Sequence, residues 1–429
     1  MLAVFARAGG LAQLCATALG TVAFTLLHDP SNHPGTMTEP TMRAHPLAER
    51  MAQIEPFHVV VLVTRARELE AQGRSIVNMV IGEPDFPTPQ PIVDAGVAAL
   101  QSGQVRYTPS LGTSALRQAL SDWYRTRYGA QVPPARIAVT SGSSGALLLT
   151  MGVLLSPGDE VLMPDPAYPC NRHFTRAMEG RAVGVPVGAD TGYQLTAELV
   201  ARHWSPRTVA AMVATPSNPT GTLIAPQELQ RIHAVVRERG GVLIVDEIYH
   251  GLTYGEDAHS ALEFTDDVFV INSFSKYFCM TGWRLGWMVM PRSYVADVEK
   301  LAQNLFISNS DIAMQAALAA FTPQTLAQCE ANRLRFQGQR DYLLPALREL
   351  GFDIPVTPQG AFYIYANCSR LTRDSFGFCQ ELLERAGVAV APGIDFGDNR
   401  AAEHVRFSYP KAVPVLQEGV RRIREYLGK

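Results

Sequence analysis

From about His45 to the C-terminus, short runs of β-branched and apolar residues alternate with longer stretches of helical period. Strand candidates are residues 76–81, 137–140, 160–163, 209–214, 242–245, 268–272 and 285–289. Between them lie helical stretches such as 114–128, 145–155 and 226–239. Strands alternating with helices predict an α/β fold with a mostly parallel central sheet and helices on both faces. Such sheets hold ligands at the carboxyl ends of their strands. From Gln337 the rhythm changes to a long helix, short strands at 362–365, 388–391 and 405–408, and a final helix, which reads as a separate, smaller α+β domain.

The first 44 residues do not share this pattern. Arg7 is the only formally charged side chain in 1–27, and 8–27 is a run of twenty mostly apolar residues, borderline for a membrane span. A signal or anchor, an organellar presequence and an upstream start codon all fit. The expectation is a non-core apolar extension, with ordinary globular sequence beginning near Met37 and Met42. No membrane contact is expected unless that extension is real.

Composition excludes several classes. With 47% hydrophobic residues the chain has enough apolar material for a sizeable core. The 37 Lys+Arg against 40 Asp+Glu give a net charge of -3, without the basic excess that nucleic-acid binding needs. The cysteines (15, 170, 279, 329, 368 and 379) show no metal or redox spacing, and the ten histidines form no HExxH pair. These predict reduced thiols in a cytoplasmic protein, with no bound metal.

The basic residues divide into 33 Arg and only four Lys: Lys276, Lys300, Lys411 and Lys429. Lys276 stands just past a strand, in SFSK, beside Ser273 and Ser275 and eight residues before Arg284 in TGWRLGW. A lysine in so arginine-rich a chain suggests a task for which guanidinium is unsuited, such as losing a proton and attacking a carbonyl; a solvated loop lysine is the bland alternative. The run GGVLIVDEIYHG ends a buried strand on Asp246 and Glu247, where a carboxylate is an N-cap, a partner for a cation or a metal ligand. SGSSGAL (141–147) is either a phosphate cradle at a helix N-terminus or a serine-capped turn. PSNPTG (216–221) has the composition of a turn, yet Asn218 could reach the cleft that Asp246 faces. Arg406, in VRFSYP, is either a snorkelling strand arginine or a bidentate clamp for a carboxylate.

Together, GEPDFPTP (82–89), YTPSLGTSALR (107–117), SGSSGAL, PDPAYP (164–169), PSNPTG, DEIY, SFSKYFCMTGWRLGW (273–287) and GAFYIY (360–365) resemble, in order, the class I/II aminotransferases, fold type I enzymes that use pyridoxal 5'-phosphate. The resemblance runs from about Leu47 to the C-terminus. It implies 45–85 as a segment contributing to the small domain, 86–330 as the large cofactor-binding domain and 331–429 as the small C-terminal domain. It implies that Lys276 forms a Schiff base with the cofactor and moves the proton at the substrate Cα. Asp246 would partner the pyridine nitrogen, Tyr249 and Asn218 the phenolic oxygen, and Tyr168 the ring face. The phosphate would be held by Ser143, Ser144, Ser273 and Arg284, with Tyr107 reaching the site of the partner subunit in a homodimer. Arg406, with backbone near Gly82, would clamp the substrate α-carboxylate.

Members of the family that prefer aspartate read its distal carboxylate with a second cation. One branch uses an arginine four residues before a Ser-Asn pair, where Asn304 stands here; another uses a lysine in the phosphate loop, where Ser144 stands. The expectation is therefore a transaminase of amino-acid metabolism, with a biosynthetic role, that acts on a neutral amino acid such as alanine or an aliphatic or aromatic one, and on a 2-oxo acid. A carbon–sulfur β-lyase of the same fold is the alternative.

Overall fold

The computed structural model describes residues 45–429; the apolar extension at 1–44, with Cys15, lies outside the described residues. Seven strands form the central sheet: β2 (Ile137–Thr140), β3 (Glu160–Asp165), β4 (Arg181–Pro186), β5 (Thr208–Ala214), β6 (Val242–Asp246), β7 (Phe269–Ser273) and β8 (Gly286–Val289). Their order is β2-β8-β7-β6-β5-β3-β4, with β4, β3, β5, β6 and β7 parallel and β8 antiparallel to both of its neighbours. A pure parallel sheet would need a helical crossover between β7 and β8. Only the loop from Phe274 to Leu285 is available, so β8 returns directly and Ser273 pairs with Gly286.

Both faces of the sheet are covered, and period two along a strand decides which residue goes where. On β6, Leu243 and Val245 pack with Leu229, Ile232 and Val236 of the helix Pro226–Glu238 and with Leu116, Leu120 and Tyr124 of the helix Ser114–Tyr128. Ile244, between them, faces Ala146, Leu147 and Leu149 of the helix Gly142–Leu154 and Val298 and Ala302 of Val295–Leu305. Burial of each such aliphatic side chain contributes about 1.5–3 kcal/mol. The run VLIV suits a strand buried on both sides.

The remaining strands are β1 (Val77–Asn78), β9 (Tyr363–Asn367), β10 (Val388–Ala389), β11 (Ala391–Pro392) and β12 (His404–Ser408). The order β11-β12-β9 makes an antiparallel sheet, and β1 pairs in parallel with β10, so the segment before residue 85 joins the C-terminal part of the chain. The expected strand at 388–391 is split in two, its halves pairing with different partners. The long helix begins well before Gln337, at Pro323, and runs to Glu349, so residues 330 and 331 both lie inside it. Among the described residues no helix is long and apolar enough to cross a membrane.

Candidate active site

Ala214, Asp246 and Ile271 are in register across β5, β6 and β7, and at this carboxyl edge of the sheet lies a cavity of about 550 Å³. The antiparallel return of β8 sets both ends of the Phe274–Leu285 loop at the same edge, so Lys276 and Arg284 both line that cavity. The Lys276 Nζ donates to the carbonyl of Gly82 at 2.7 Å. Burial pushes this amine down to about 8; Glu83 opposes the shift, while Arg406 and Arg284 press with it. Lys276 thus combines access to the cavity with a neutral amine at mildly alkaline pH.

Asp246 is the last residue of the central strand and lines the cavity, with Oδ1 accepting the Ile248 N–H at 3.0 Å. Burial pushes its carboxyl up to about 7, against the pull of Lys276. A cation placed beside it would hold it as carboxylate. Glu247 turns the other way: its carboxylate accepts from the Ala261 N–H at 2.9 Å and from the Ser260 hydroxyl. Of the two acids at this strand end, Glu247 secures the turn at Ala261–Glu263 and Asp246 is left to the cavity.

An anion cradle lies beside them. The helix Gly142–Leu154 starts without a side-chain cap, and its first-turn residues Ser143 and Ser144 line the cavity. Helix N-termini carry N–H groups with no intrahelical acceptor and partial positive charge. A Cβ on Gly142, which has φ +71°, would come within 2.7 Å of Arg284 Nη2, and a Cβ on Gly286 within 2.8 Å of Ser143 N. Arg284 itself takes the left-handed conformation, at φ 52°. Two glycines and a strained arginine thus let the guanidinium lie against the helix start. Backbone N–H groups, hydroxyls and a guanidinium in one place suit a phosphate group.

Arg406, on β12, closes the other side. It is buried at 5% exposure, and its Nη1 donates to Asn218 Oδ1 at 2.9 Å and its Nη2 to the Val80 carbonyl at 2.7 Å. The rings of Tyr363 and Phe396 lie 4.4 and 4.7 Å from its guanidinium carbon. Its Nε is buried and has no partner. An unmatched N–H on a buried guanidinium that lines a cavity is suited to a carboxylate entering that cavity.

The cavity thus brings together Gly82, Ser143, Ser144, Tyr168, Asn218, Asp246, Tyr249, Lys276, Arg284 and Arg406. Tyr249 and Asn218 already have partners: the Tyr249 hydroxyl pairs with that of Tyr363 at 2.8 Å, and Asn218 accepts from Arg406. Ser273 sits behind the wall, its hydroxyl within hydrogen-bond distance of Ser275 Oγ and of the Leu285 carbonyl, and Ser275 is the serine of this pair that lines the cavity. Tyr107 is 84% exposed and does not line the cavity of its own chain.

The sequence reading missed Ser275 and Thr281 in the cradle, Tyr363, and one face of the helix His58–Ala71 together with Asp395 and Phe396. Tyr363 lies in the GAFYIY string. The helix was legible in principle from HVVVLVTRARELEA, where charged residues follow an apolar start, although its continuous apolar run hides the helical period.

The family model for aminotransferase class I and II matches residues 74–423. Valine–pyruvate aminotransferase of Mycobacterium tuberculosis is 38% identical over 378 residues, covering 88% of this chain and 97% of that protein. (5-Formylfuran-3-yl)methyl phosphate transaminase of Methanocaldococcus jannaschii is 35% identical over 386 residues, covering 89% of this chain and 100% of that protein. Among solved structures, an aminotransferase from Mycobacterium tuberculosis superposes with a TM-score of 0.87 at 38% identity, over 90% of this chain and 99% of its own.

Proposed function

Because this chain belongs to the class I and II aminotransferase family, whose members use pyridoxal phosphate, we propose that it moves the amino group of a neutral amino acid to a 2-oxo acid at the cavity around Lys276. The carbon–sulfur lyase alternative is not favoured, since the relatives are transaminases. The observation that carries the choice of a neutral donor is the set of apolar side chains that line the same cavity as Lys276, among them Val59, Val60, Val63 and Ile81. The substrates that the two relatives' names give differ widely, so the choice rests on this chain's own lining.

Pyridoxal phosphate, when bound, supplies an electron-poor ring that takes up the electron pair released at the substrate Cα. Ser143, Ser144, Ser275 and Arg284 would hold its phosphate, Asp246 the protonated ring nitrogen and Tyr168 a ring face. Tyr249 and Asn218, by the same reading, would serve the phenolic oxygen as donors, Tyr249 through its hydroxyl while it accepts from Tyr363, and Asn218 through its amide NH2 while its Oδ1 accepts from Arg406. Arg406 fixes the substrate's α-carboxylate through its free Nε, which orients the Cα–H toward Lys276. The Lys276 Nζ, whose neutral form accumulates as pH rises through about 8, would accept that proton and return it later in the amino transfer. Because Arg406 sits on β12 and Lys276 beyond β7, substrate would touch residues next to both sheets, and this placement supports closure of the smaller sheet toward the central one on substrate binding.

Purified protein should be yellow, lose that colour with an accepted amino acid, and yield after borohydride reduction a peptide with the cofactor fixed to Lys276. Cofactor still fixed by borohydride in Lys276→Ala would defeat the assignment. A kcat/KM for aspartate far above those for alanine, valine, leucine and phenylalanine would defeat the neutral-donor part alone.

A further inference from the structure

Five residues of the helix His58–Ala71 line the cavity: Val59, Val60, Val63, Thr64 and Arg67. Spacings of three, four and seven place them on one face, while Leu62, Ala66 and Leu69 of the opposite face are buried in the core. One turn beyond Val63, therefore, the apolar wall carries a guanidinium. The neighbouring arginines are occupied: Arg65 binds Glu68 and Glu384, and Arg74 donates to the Glu384 carbonyl. Arg67 has no hydrogen bond or ion pair among the described residues, and it is exposed.

Each of the other cations on the cavity has a task. Lys276 is the reacting amine, Arg284 belongs to the anion cradle, and Arg406 is held by Asn218 and Val80 for the α-carboxylate. The Asp395 carboxylate, which also lines the cavity, accepts from the His58 and Val59 N–H groups, contacts His58 Nδ1, and forms no ion pair with Arg67. We infer that Arg67 receives the distal carboxylate of a dicarboxylic substrate, a 2-oxo dicarboxylic acid as amino acceptor, on the same wall whose valines take the side chain of the neutral donor. This rests on the aminotransferase reading and names its second substrate class. A long, unpaired arginine can lie along the wall for a charged side chain and swing to solvent for a neutral one, so both fit one site.

The test uses the holoenzyme with valine as donor and either 2-oxoglutarate or pyruvate as acceptor. In Arg67→Gln the kcat/KM for 2-oxoglutarate should fall about 10- to 100-fold, mostly through KM, and that for pyruvate should stay within about twofold. Arg67→Lys, which keeps the charge, should recover part of the loss. Equal losses with both acceptors, or no loss with either, overturn the inference and leave the aminotransferase reading standing. The same holds if the wild-type enzyme uses pyruvate but not 2-oxoglutarate. A wild-type enzyme that uses neither acceptor, with any of the neutral donors, overturns the aminotransferase reading and this inference with it.

Discussion

Lys276 is one of four lysines in the chain, and its surroundings show why arginine would not serve. Burial lowers an amine into the working range, whereas a guanidinium stays charged. With the pKa lowered to about 8, the neutral, nucleophilic form accumulates as pH rises through that value. Capture of pyridoxal phosphate by the apoprotein should therefore accelerate up to about pH 8 and then level off, whereas an unperturbed lysine would go on gaining to about pH 10. Stopped-flow absorbance across that range checks this, and continued acceleration above pH 9 would contradict it. Gly82 offers a second test. A Cβ there would stand 2.3 Å from the Tyr363 hydroxyl, on the residue whose carbonyl holds Lys276 Nζ. Gly82→Ala should lower kcat/KM by about tenfold or more while cofactor content, read from absorbance, stays near one per chain. Lys276 was legible in the sequence because a rare residue type stood just past a strand, and Asp246 because a carboxylate ended a buried apolar run, each within a specific string. Which of Ser273 and Ser275 faces the cavity was not, because the strand's alternation stops at Ser273 and the turn resets the phase.

Fully buried elements announced themselves, the edge strand β2 included, and partly exposed ones did not. β6 (VLIVD) and β7 (FVINS) are apolar up to the polar residues that end them at the cavity, whereas β4, one of the two edge strands, has mixed exposure along RAVGVP and carries no such run. The helix His58–Ala71 is the more consequential omission. No side chain from Phe57 caps its start; instead Asp395, remote in sequence, accepts from the His58 and Val59 N–H groups at 2.8 Å each and contacts His58 Nδ1 at 2.9 Å. This cap is invisible to any local pattern. It ties the cavity-lining helix to the segment that also supplies Phe396, which lies against Arg406. Asp395→Asn replaces one accepting oxygen with a donor facing an N–H group. It should cost about 1–3 kcal/mol of stability and raise KM for neutral and acidic substrates alike, with kcat changed less. Urea denaturation and steady-state kinetics give both readings, and a change confined to acidic substrates would argue against a positioning role.

At the scale of the whole molecule, one chain brings Lys276, Asp246, Arg284 and Arg406 to a single cavity, yet leaves Tyr107 outside it. A second, open cleft shares Glu83 and Thr281 with the cavity and continues over Trp283, so the wall nearest the cradle can be approached from outside the chain. A homodimer in which the partner's Tyr107 completes the cradle remains the expectation that the sequence resemblance implies. Subunit mixing separates a shared site from a private one. Lys276→Ala removes the reacting amine and should be inactive, and Tyr107→Ala should bind cofactor weakly and turn over slowly. If Tyr107 serves the partner's site, a mixed dimer carries both defects in one site and none in the other. An equimolar mixture after dissociation and reassembly should then recover up to about a quarter of wild-type activity, since half the dimers are mixed and each has one intact site of two. If Tyr107 serves its own chain, every site keeps one defect and the mixture does no better than the average of its parents. A chain that sediments as a monomer at assay concentration would exclude the shared site outright.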